Sequence, residues 1–152
     1  MAGIATSRTR QGGIALIETV IVTPLLLFLI VLTAEVTNGF VEYNTLAKSV
    51  RGATRYVAAR SLLGTTGTIV LPPTLTAQAS NLVVYGNVAG GGSPILSGLA
   101  VGDVQVSQIA GSNDIQVSVS YAYTGLLGGT LPTFGLGTEP NLGITFRATV
   151  AM

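Results

Sequence analysis

The sequence predicts an α+β fold in which a long N-terminal helix packs on a small antiparallel β-sheet. Two observations carry this prediction. The first part of the chain is rich in apolar, helix-favouring residues, whereas the chain from Gly64 onward is rich in glycine, threonine, serine and valine and alternates between apolar and polar residues. A length of 152 residues leaves room for one membrane-proximal helix and one small domain.

Changes in composition divide the chain into a leader, a helix with an apolar half and an amphipathic half, and a β-rich domain. The expected bounds are 1–13 for the leader, 14–63 for the helix, about 17–41 and 42–63 for its halves, and 64–152 for the domain. The leader contains Arg8 and Arg10 and no acidic residue. By the positive-inside rule, the N-terminus stays in the cytoplasm and the β-rich domain is exported.

The helical zone is longer than a membrane is thick. No formal charge occurs from Thr19 to Ala34, and Glu35 follows. Roughly fifty residues at ~1.5 Å each extend about 75 Å, so the second half projects beyond a ~30 Å hydrocarbon core. Pro24 and Gly39 are the expected interruptions, and an ordinary tolerated kink at the proline is the alternative. The part of an apolar stripe from Tyr43 to Val57 is expected to cover the sheet. The whole stripe consists of Val36, Phe40, Tyr43, Leu46, Ala47, Val50, Thr54 and Val57.

Three segments of the β-rich domain alternate between apolar and polar residues, as strands with one buried face do. They are Val104 to Ile109, Asp114 to Tyr123 and Gly143 to Val150. Ile69 to Leu71 and Leu82 to Tyr85 are weaker strand candidates. Three strands with one apolar face need a cover, which the helix supplies.

Composition argues against several classes of function. The chain has a net charge of +1 and only 9% charged residues, which predicts no nucleic-acid partner. It has no histidine and no cysteine, so it lacks the usual general base, the commonest metal ligand and any disulfide. Asp103 and Asp114 are interpreted as solvated turn residues rather than paired catalytic carboxylates. We therefore expect no catalytic residues, no metal and no cofactor.

The start of the helix carries a spaced pattern. Its members are Gly13, Glu18, Pro24, the run Leu25–Leu27, and Glu35. This pattern resembles the N-terminus of type IV pilins and pseudopilins, and most specifically that of the TadE-like pseudopilins of the Tad (Flp) pilus. The segment Lys48–Tyr56 is similar to a basic segment of the same family. The resemblance covers about Arg10 to Ala59 and extends more loosely to the strand around Val119.

The resemblance implies a type IV pilin-like fold and a pilin-like subunit, either a minor pilin or pseudopilin or a major structural pilin. It also implies that prepilin peptidase cuts between Gly13 and Ile14, and that the other partners are pilin subunits and the membrane. Glu18, Pro24 and Glu35 would then serve assembly and register. Cleavage gives Ile14 an amine that can pair with a buried Glu18 carboxylate of a neighbouring subunit.

The implied location is the cytoplasmic membrane as a single-pass protein with its C-terminus outside, followed by an extracellular pilus or the periplasm. A permanently anchored single-pass protein is the alternative, and a cleaved secretory signal is a further rival.

Two other groups of residues are candidates for contacts between subunits. The basic stretch with Lys48, Arg51, Arg55 and Arg60 suits pairing with a neighbour's Glu35 or Glu42, plain solvation, lipid headgroups or DNA. The second group lies in an unusually apolar loop, which is either a contact surface or a flap on the core. Its members are Leu126, Leu127, Leu131 and Phe134.

Overall fold

The computed structural model describes residues 9–61, 69–130, 137–138 and 143–152, with side chains from Gly13 onward. The elements in chain order are α1 (Thr9–Ser61), α2 (Pro73–Tyr85), a 3-10 turn (Val101–Asp103), β1 (Val104–Gln108), β2 (Ile115–Ala122) and β3 (Thr145–Ala151). The predicted α+β class, with a long N-terminal helix and a small antiparallel sheet, is confirmed. The predicted boundary between residues 63 and 64 lies outside the described residues, as do residues 1–8 of the leader.

The chain forms two compact units, and the division falls within α1, between Thr37 and Asn38. The N-terminal unit ends at Thr37, and its described part is helical from Thr9. The C-terminal unit, Asn38–Met152, contains the rest of α1, α2 and the sheet. The second half of α1 thus belongs to the same compact body as the strands.

Helix α1 runs through both of its predicted interruptions. Pro24 lies inside the helix, where it removes the bond to the carbonyl of Val20 without ending the helix. Gly39 is also helical, and a methyl group at its Cβ position would lie 3.6 Å from Cζ of Phe146 and 3.8 Å from Cζ of Tyr123. Both are ordinary van der Waals distances. The prediction that these two residues interrupt the helix is therefore wrong.

The three strands form one antiparallel sheet in the order β1-β2-β3. Val119 of the central strand pairs with Val104 on one side and with Ala148 on the other. The alternation predicted for the central strand is confirmed, because every second residue from Ile115 is buried. The inward residues are Ile115, Val117, Val119, Tyr121 and, just after the strand, Tyr123.

The covering stripe on α1 is confirmed in its second part. Leu46, Val50, Ala53 and Val57 are fully buried in the same cluster as the inward strand residues. Tyr43, the first residue of the predicted cover, is 41% exposed and meets the sheet through the edge-on contact of its ring with Phe146. Val36 and Phe40, which precede the predicted cover on the same stripe, are 52% and 64% exposed.

Polar residues lie on the sheet-facing side of α1 before Leu46. Asn38 and Glu42 precede Leu46 at spacings of four residues, and both are partly buried against the tyrosines of the sheet.

Helix α2 was not predicted, and its last turn contains the segment Leu82 to Tyr85, which the sequence indicated as a weak strand. Pro73 stands at the first turn of the helix, where its missing N–H costs nothing. The helix ends at Gly86, whose φ of 70° is left-handed and whose N–H donates to the carbonyl of Leu82. The signal for a helix was the spacing of four between Leu75, Ala79 and Val83, all of which are buried.

We expect Leu46→Ala to lower the free energy of unfolding of the C-terminal unit by about 2–5 kcal/mol, since it opens a cavity between α1 and the sheet. The matched variant Phe40→Ala also removes a large apolar side chain from α1, but at an exposed position, so it should change the same quantity by no more than about 0.5 kcal/mol. Denaturant unfolding of both full-length variants in detergent, followed by near-ultraviolet circular dichroism of the tyrosines, measures the two values. Equal losses would contradict the burial assigned to this helix.

Candidate functional site

The helix surface of the N-terminal unit is apolar and exposed, with one carboxylate near its start. Ile14 is 70% exposed, and Glu18 is exposed one turn further along. The large apolar side chains that share this exposure are Leu16, Ile17, Val20, Ile21, Val22, Leu25, Leu26, Leu27, Leu29 and Ile30. Such a surface requires lipid or another protein around it.

The threonines on this helix direct their hydroxyl groups inward to the backbone. The hydroxyl of Thr19 donates to the carbonyl oxygen of Ala15 at 2.8 Å, that of Thr33 to Leu29 at 2.7 Å, and that of Thr37 to Thr33 at 2.8 Å. Each polar group is thus satisfied within the helix, so these residues can face lipid without an unpaired donor.

An open groove follows one side of the helix up to the proline. Its lining residues are Ala15, Leu16, Thr19, Val20, Thr23 and Pro24. Three of them, Ala15, Thr19 and Thr23, have small side chains at spacings of four. Small side chains in such a row let a second helix approach closely.

The two acidic residues of the predicted pattern lie in different surroundings. Glu18 is exposed on the apolar helix surface. Glu35 is only 5% exposed, although it follows directly on the apolar run. The carboxylate of Glu18 is therefore accessible to a partner from outside the chain, whereas that of Glu35 is not presented to lipid.

In the part of the chain that the structure describes, one helix, within Gly13–Ser61, is long and apolar enough to cross a membrane. None of its most apolar window is buried. A core helix of a soluble protein would be covered there, so length, composition and exposure together favour a membrane-anchored chain.

A cluster of hydrogen-bonded side chains, which we call the tyrosine cluster, lies where α1 meets β2. It consists of Asn38, Glu42, Tyr121 and Tyr123. The amide nitrogen of Asn38 donates to Oε1 of Glu42 at 3.1 Å and to the hydroxyl of Tyr123 at 3.2 Å. The hydroxyl of Tyr121 lies 3.0 Å from Oε2 of Glu42 and 2.9 Å from the carbonyl oxygen of Ser97, and shares its proton between these acceptors.

An aromatic layer surrounds these polar groups. The ring of Phe146 on β3 lies 5.2 Å from that of Tyr123 and 6.3 Å from that of Tyr121, measured between centroids. The ring of Tyr43 meets Phe146 edge-on at 5.7 Å. Aromatic contacts of this kind stabilise beyond their buried area and exclude water from the hydrogen bonds beside them.

Burial raises the pKa of Tyr121 to about 12, and its hydrogen bond to Glu42 and the negative charge of that carboxylate add to the rise. Each of these causes disfavours the phenolate. The proton of Tyr121 therefore stays in place at physiological pH and keeps one oxygen of the Glu42 carboxylate hydrogen-bonded.

Sequence reasoning missed the tyrosine cluster. Its signal was present, because Asn38 and Glu42 continue the line of Leu46 and Val50 toward the N-terminus at spacings of four. A polar residue on a buried line needs a buried partner, and the inward tyrosine hydroxyls of β2 are suitable ones.

The residues that the sequence offered for contacts between subunits are placed differently from one another. Arg51 and Arg55 are exposed on α1. Leu126 is 67% exposed, and Leu127 is half-buried. Leu131 and Phe134 lie outside the described residues.

The two aspartates before and after β1 have local roles. Oδ2 of Asp103 accepts a hydrogen bond from the N–H of Ala100 at 2.9 Å, and a carboxylate oxygen of Asp114 accepts one from the hydroxyl of Ser112. In the described part of the chain, no three side chains of the types that ligate metals come together. Asp103 and Asp114 thus act as turn residues.

We expect Tyr121→Phe to lower the free energy of unfolding of the C-terminal unit by about 1–3 kcal/mol at neutral pH, because the carbonyl of Ser97 and the carboxylate of Glu42 lose their shared donor. An unfolded tyrosine loses its proton near pH 10, and the folded one near pH 12, so the unfolded state releases its proton first. The tyrosine's stabilisation is then complete below pH 10 and is lost as the pH rises from about 10 to 12.

Thermal unfolding of the unmodified protein and of Tyr121→Phe between pH 8 and pH 11.5 measures the difference between their free energies of unfolding. This difference should shrink with rising pH. Tyr43→Phe is the matched control, since that ring is 41% exposed and lies outside the cluster. A difference between the full chain and Tyr121→Phe that stays constant over this pH range would contradict the assignment.

Comparison with known proteins finds a family match in the N-terminal part of the chain. A family model described as TadE-like protein matches residues 13–55. Searches of the curated proteins and of the solved structures gave no match. The matched segment begins at Gly13 and includes Glu18, Pro24 and Glu35, the residues on which the resemblance rested. The predicted resemblance to the TadE-like family is therefore confirmed for residues 13–55.

Proposed function

We propose that this chain is a minor pilin or pseudopilin that prepilin peptidase cuts after Gly13 and that then assembles through α1 into a Tad pilus. The family itself indicates a pilin-like, Tad pilus-associated protein. The observation that carries the finer proposal is the exposed carboxylate of Glu18 on an otherwise apolar helix surface, five residues after Gly13.

Assembly into a pilus explains a carboxylate at this position of an apolar helix surface. An ionised side chain in an apolar environment is costly unless it is paired. Cleavage after Gly13 creates a cation at the amine of Ile14, and a neighbouring subunit can bring that amine to Glu18. The pair then fixes the axial register of one helix against the next and has no catalytic role.

The groove beside Pro24 supports close packing of such helices. Its small side chains at Ala15, Thr19 and Thr23 leave space for the side chains of a neighbouring helix. When the subunit leaves the membrane, the apolar side chains around the groove lose their contact with lipid and gain contact with neighbouring subunits. The transfer therefore exposes little additional apolar surface to water.

The orientation follows from the leader. Arg8 and Arg10 hold the N-terminus in the cytoplasm, where prepilin peptidase processes the leader, and the C-terminal unit lies outside. The pilus and the periplasm are the final locations, and other pilin subunits are the partners. A protein that keeps its leader and stays in the membrane is the competing outcome of the two experiments below.

We expect the mature chain to begin at Ile14. Intact-mass measurement on protein from cells that contain the prepilin peptidase should show the loss of residues 1–13. Gly13→Leu should abolish the loss of mass, since the cut follows this glycine, whereas the matched variant Gly12→Leu should still be cut at the same bond. Retention of the leader in the unmodified protein would leave the permanent anchor as the function.

Glu18→Gln should leave membrane insertion intact and reduce incorporation into pili by about tenfold or more, because the amine of Ile14 loses its partner in an apolar contact. Quantitative blotting of sheared pili and of membranes measures both fractions. Thr19→Ser is the control, since its hydroxyl can keep the bond to the carbonyl of Ala15. Normal incorporation of Glu18→Gln would refute the role of the ion pair in register.

A further inference from the structure

The second half of α1 has a free face opposite the sheet, which we call the outer face. The sheet-facing residues Leu46, Val50 and Val57 are fully buried. Lys48, Arg51, Arg55 and the backbone of Gly52 lie on the other side of the same helix turns, and all four residues are exposed. The outer face is therefore basic over residues 48–55.

Below this basic part, the outer face is apolar. Phe40 is 64% exposed and Val41 is 58% exposed, whereas Tyr43, 41% exposed, lies at the border of this face with its ring edge-on to Phe146. The order along the helix is thus apolar, then aromatic, then basic. Half of a bilayer has the matching order of hydrocarbon, interface and headgroups, with tyrosine favoured at the interface.

The described carboxylates of the C-terminal unit are engaged elsewhere. Glu42 is bonded to Asn38 and Tyr121, and Asp103 and Asp114 are bonded within their own turns. The guanidinium of Arg60, the next cation along α1, stacks at 4.0 Å over the ring of Tyr56. None of these bonds joins a carboxylate to Lys48, Arg51 or Arg55, so among the described residues the outer face over 48–55 carries three positive charges.

Distances along the helix fit a headgroup layer. Lys48 lies five residues beyond Tyr43, or roughly 7.5 Å at the rise of an α-helix, and Arg51 lies about 12 Å beyond it. Headgroups extend about 5–8 Å from each edge of the hydrocarbon core, and their charge acts over a further Debye length of about 8 Å. Arg55, about 18 Å from Tyr43, comes into this range when the helix tilts toward its outer face.

We propose that the outer face, from Phe40 to Arg55, docks on the anionic phospholipid surface of the membrane that the helix crosses. Phe40 and Val41 lie in the hydrocarbon edge, Tyr43 at the interface, and the three cations among the lipid phosphates. This contact holds the C-terminal unit down on the bilayer. It requires only that the chain is in a membrane, so it stands whether or not the leader is cut and whether or not pili form.

The test uses the full chain in lipid nanodiscs and a reporter at Gly52. The chain has no cysteine, so Gly52→Cys gives a unique site, and a side chain there meets nothing within 4 Å. A fluorophore at this site is quenched by nitroxide-headgroup lipids when the outer face lies on the surface. Ser120→Cys, exposed on the sheet, is the control position.

Quenching at Gly52→Cys should be stronger in discs that contain phosphatidylglycerol than in pure phosphatidylcholine, and the excess should be lost at 1 M salt. The neutral combination Lys48→Gln, Arg51→Gln and Arg55→Gln should abolish the excess. The combination Arg51→Lys and Arg55→Lys should retain it, because the charges remain. Quenching at Ser120→Cys should not depend on lipid charge.

Equal quenching in the two lipid compositions would overturn the proposal. So would an excess that appears only when a disc holds two or more chains, since that result would assign the outer face to a second copy of the chain. Discs prepared with one chain each and with several chains each separate these outcomes.

Discussion

The burial of one line of side chains on α1 beneath the sheet is the interaction on which the C-terminal unit depends. The chain has no cysteine, so no disulfide can hold its three strands together. A three-stranded sheet needs its apolar face covered, and Leu46, Val50 and Val57 supply that cover together with helix α2. The same helix that is apolar toward its surroundings is therefore also a structural part of the sheet unit.

Because α1 is apolar both toward the sheet and on its opposite side, the polar residues Asn38 and Glu42 on its sheet-facing line have a structural role. Were Asn38 and Glu42 apolar, α1 would be apolar on all sides at this level, and nothing would distinguish the side that meets the sheet from the side that meets lipid. The hydrogen bonds of these residues to Tyr123 and Tyr121 give the helix a preferred rotation about its axis. That rotation leaves Phe40 and Val41 on the outer face and sets Lys48 and Arg51 above them.

Much of this architecture could be predicted from the sequence, in those segments where the apolar residues follow a single period. The alternation of apolar and polar residues from Ile115 to Tyr123 fits only a strand, and the long charge-free run after Glu18 fits only a helix. Helix α2 was missed because the apolar run Leu82 to Tyr85 is too short to distinguish a strand from a helix end. The pattern of apolar residues alone does not distinguish a strand from a helix in so short a segment.

The tyrosine cluster was missed for another reason. Glu42 and Tyr121 are 79 residues apart, and their contact depends on how the helix sits on the sheet. The residues proposed for processing and register, by contrast, were singled out by their spacing near the start of the chain. Such a spacing needs no knowledge of tertiary structure, and it lies within the segment that matches the family.

The inward hydroxyls of Thr19, Thr33 and Thr37 have a mechanical consequence. Because each donates to its own helix backbone, these threonines have no donor left for a neighbouring helix. Where two such helices meet, these three positions contribute side-chain packing and no hydrogen bond between the helices. A carboxylate such as that of Glu18 is then a polar group on this surface that can distinguish one axial position from another.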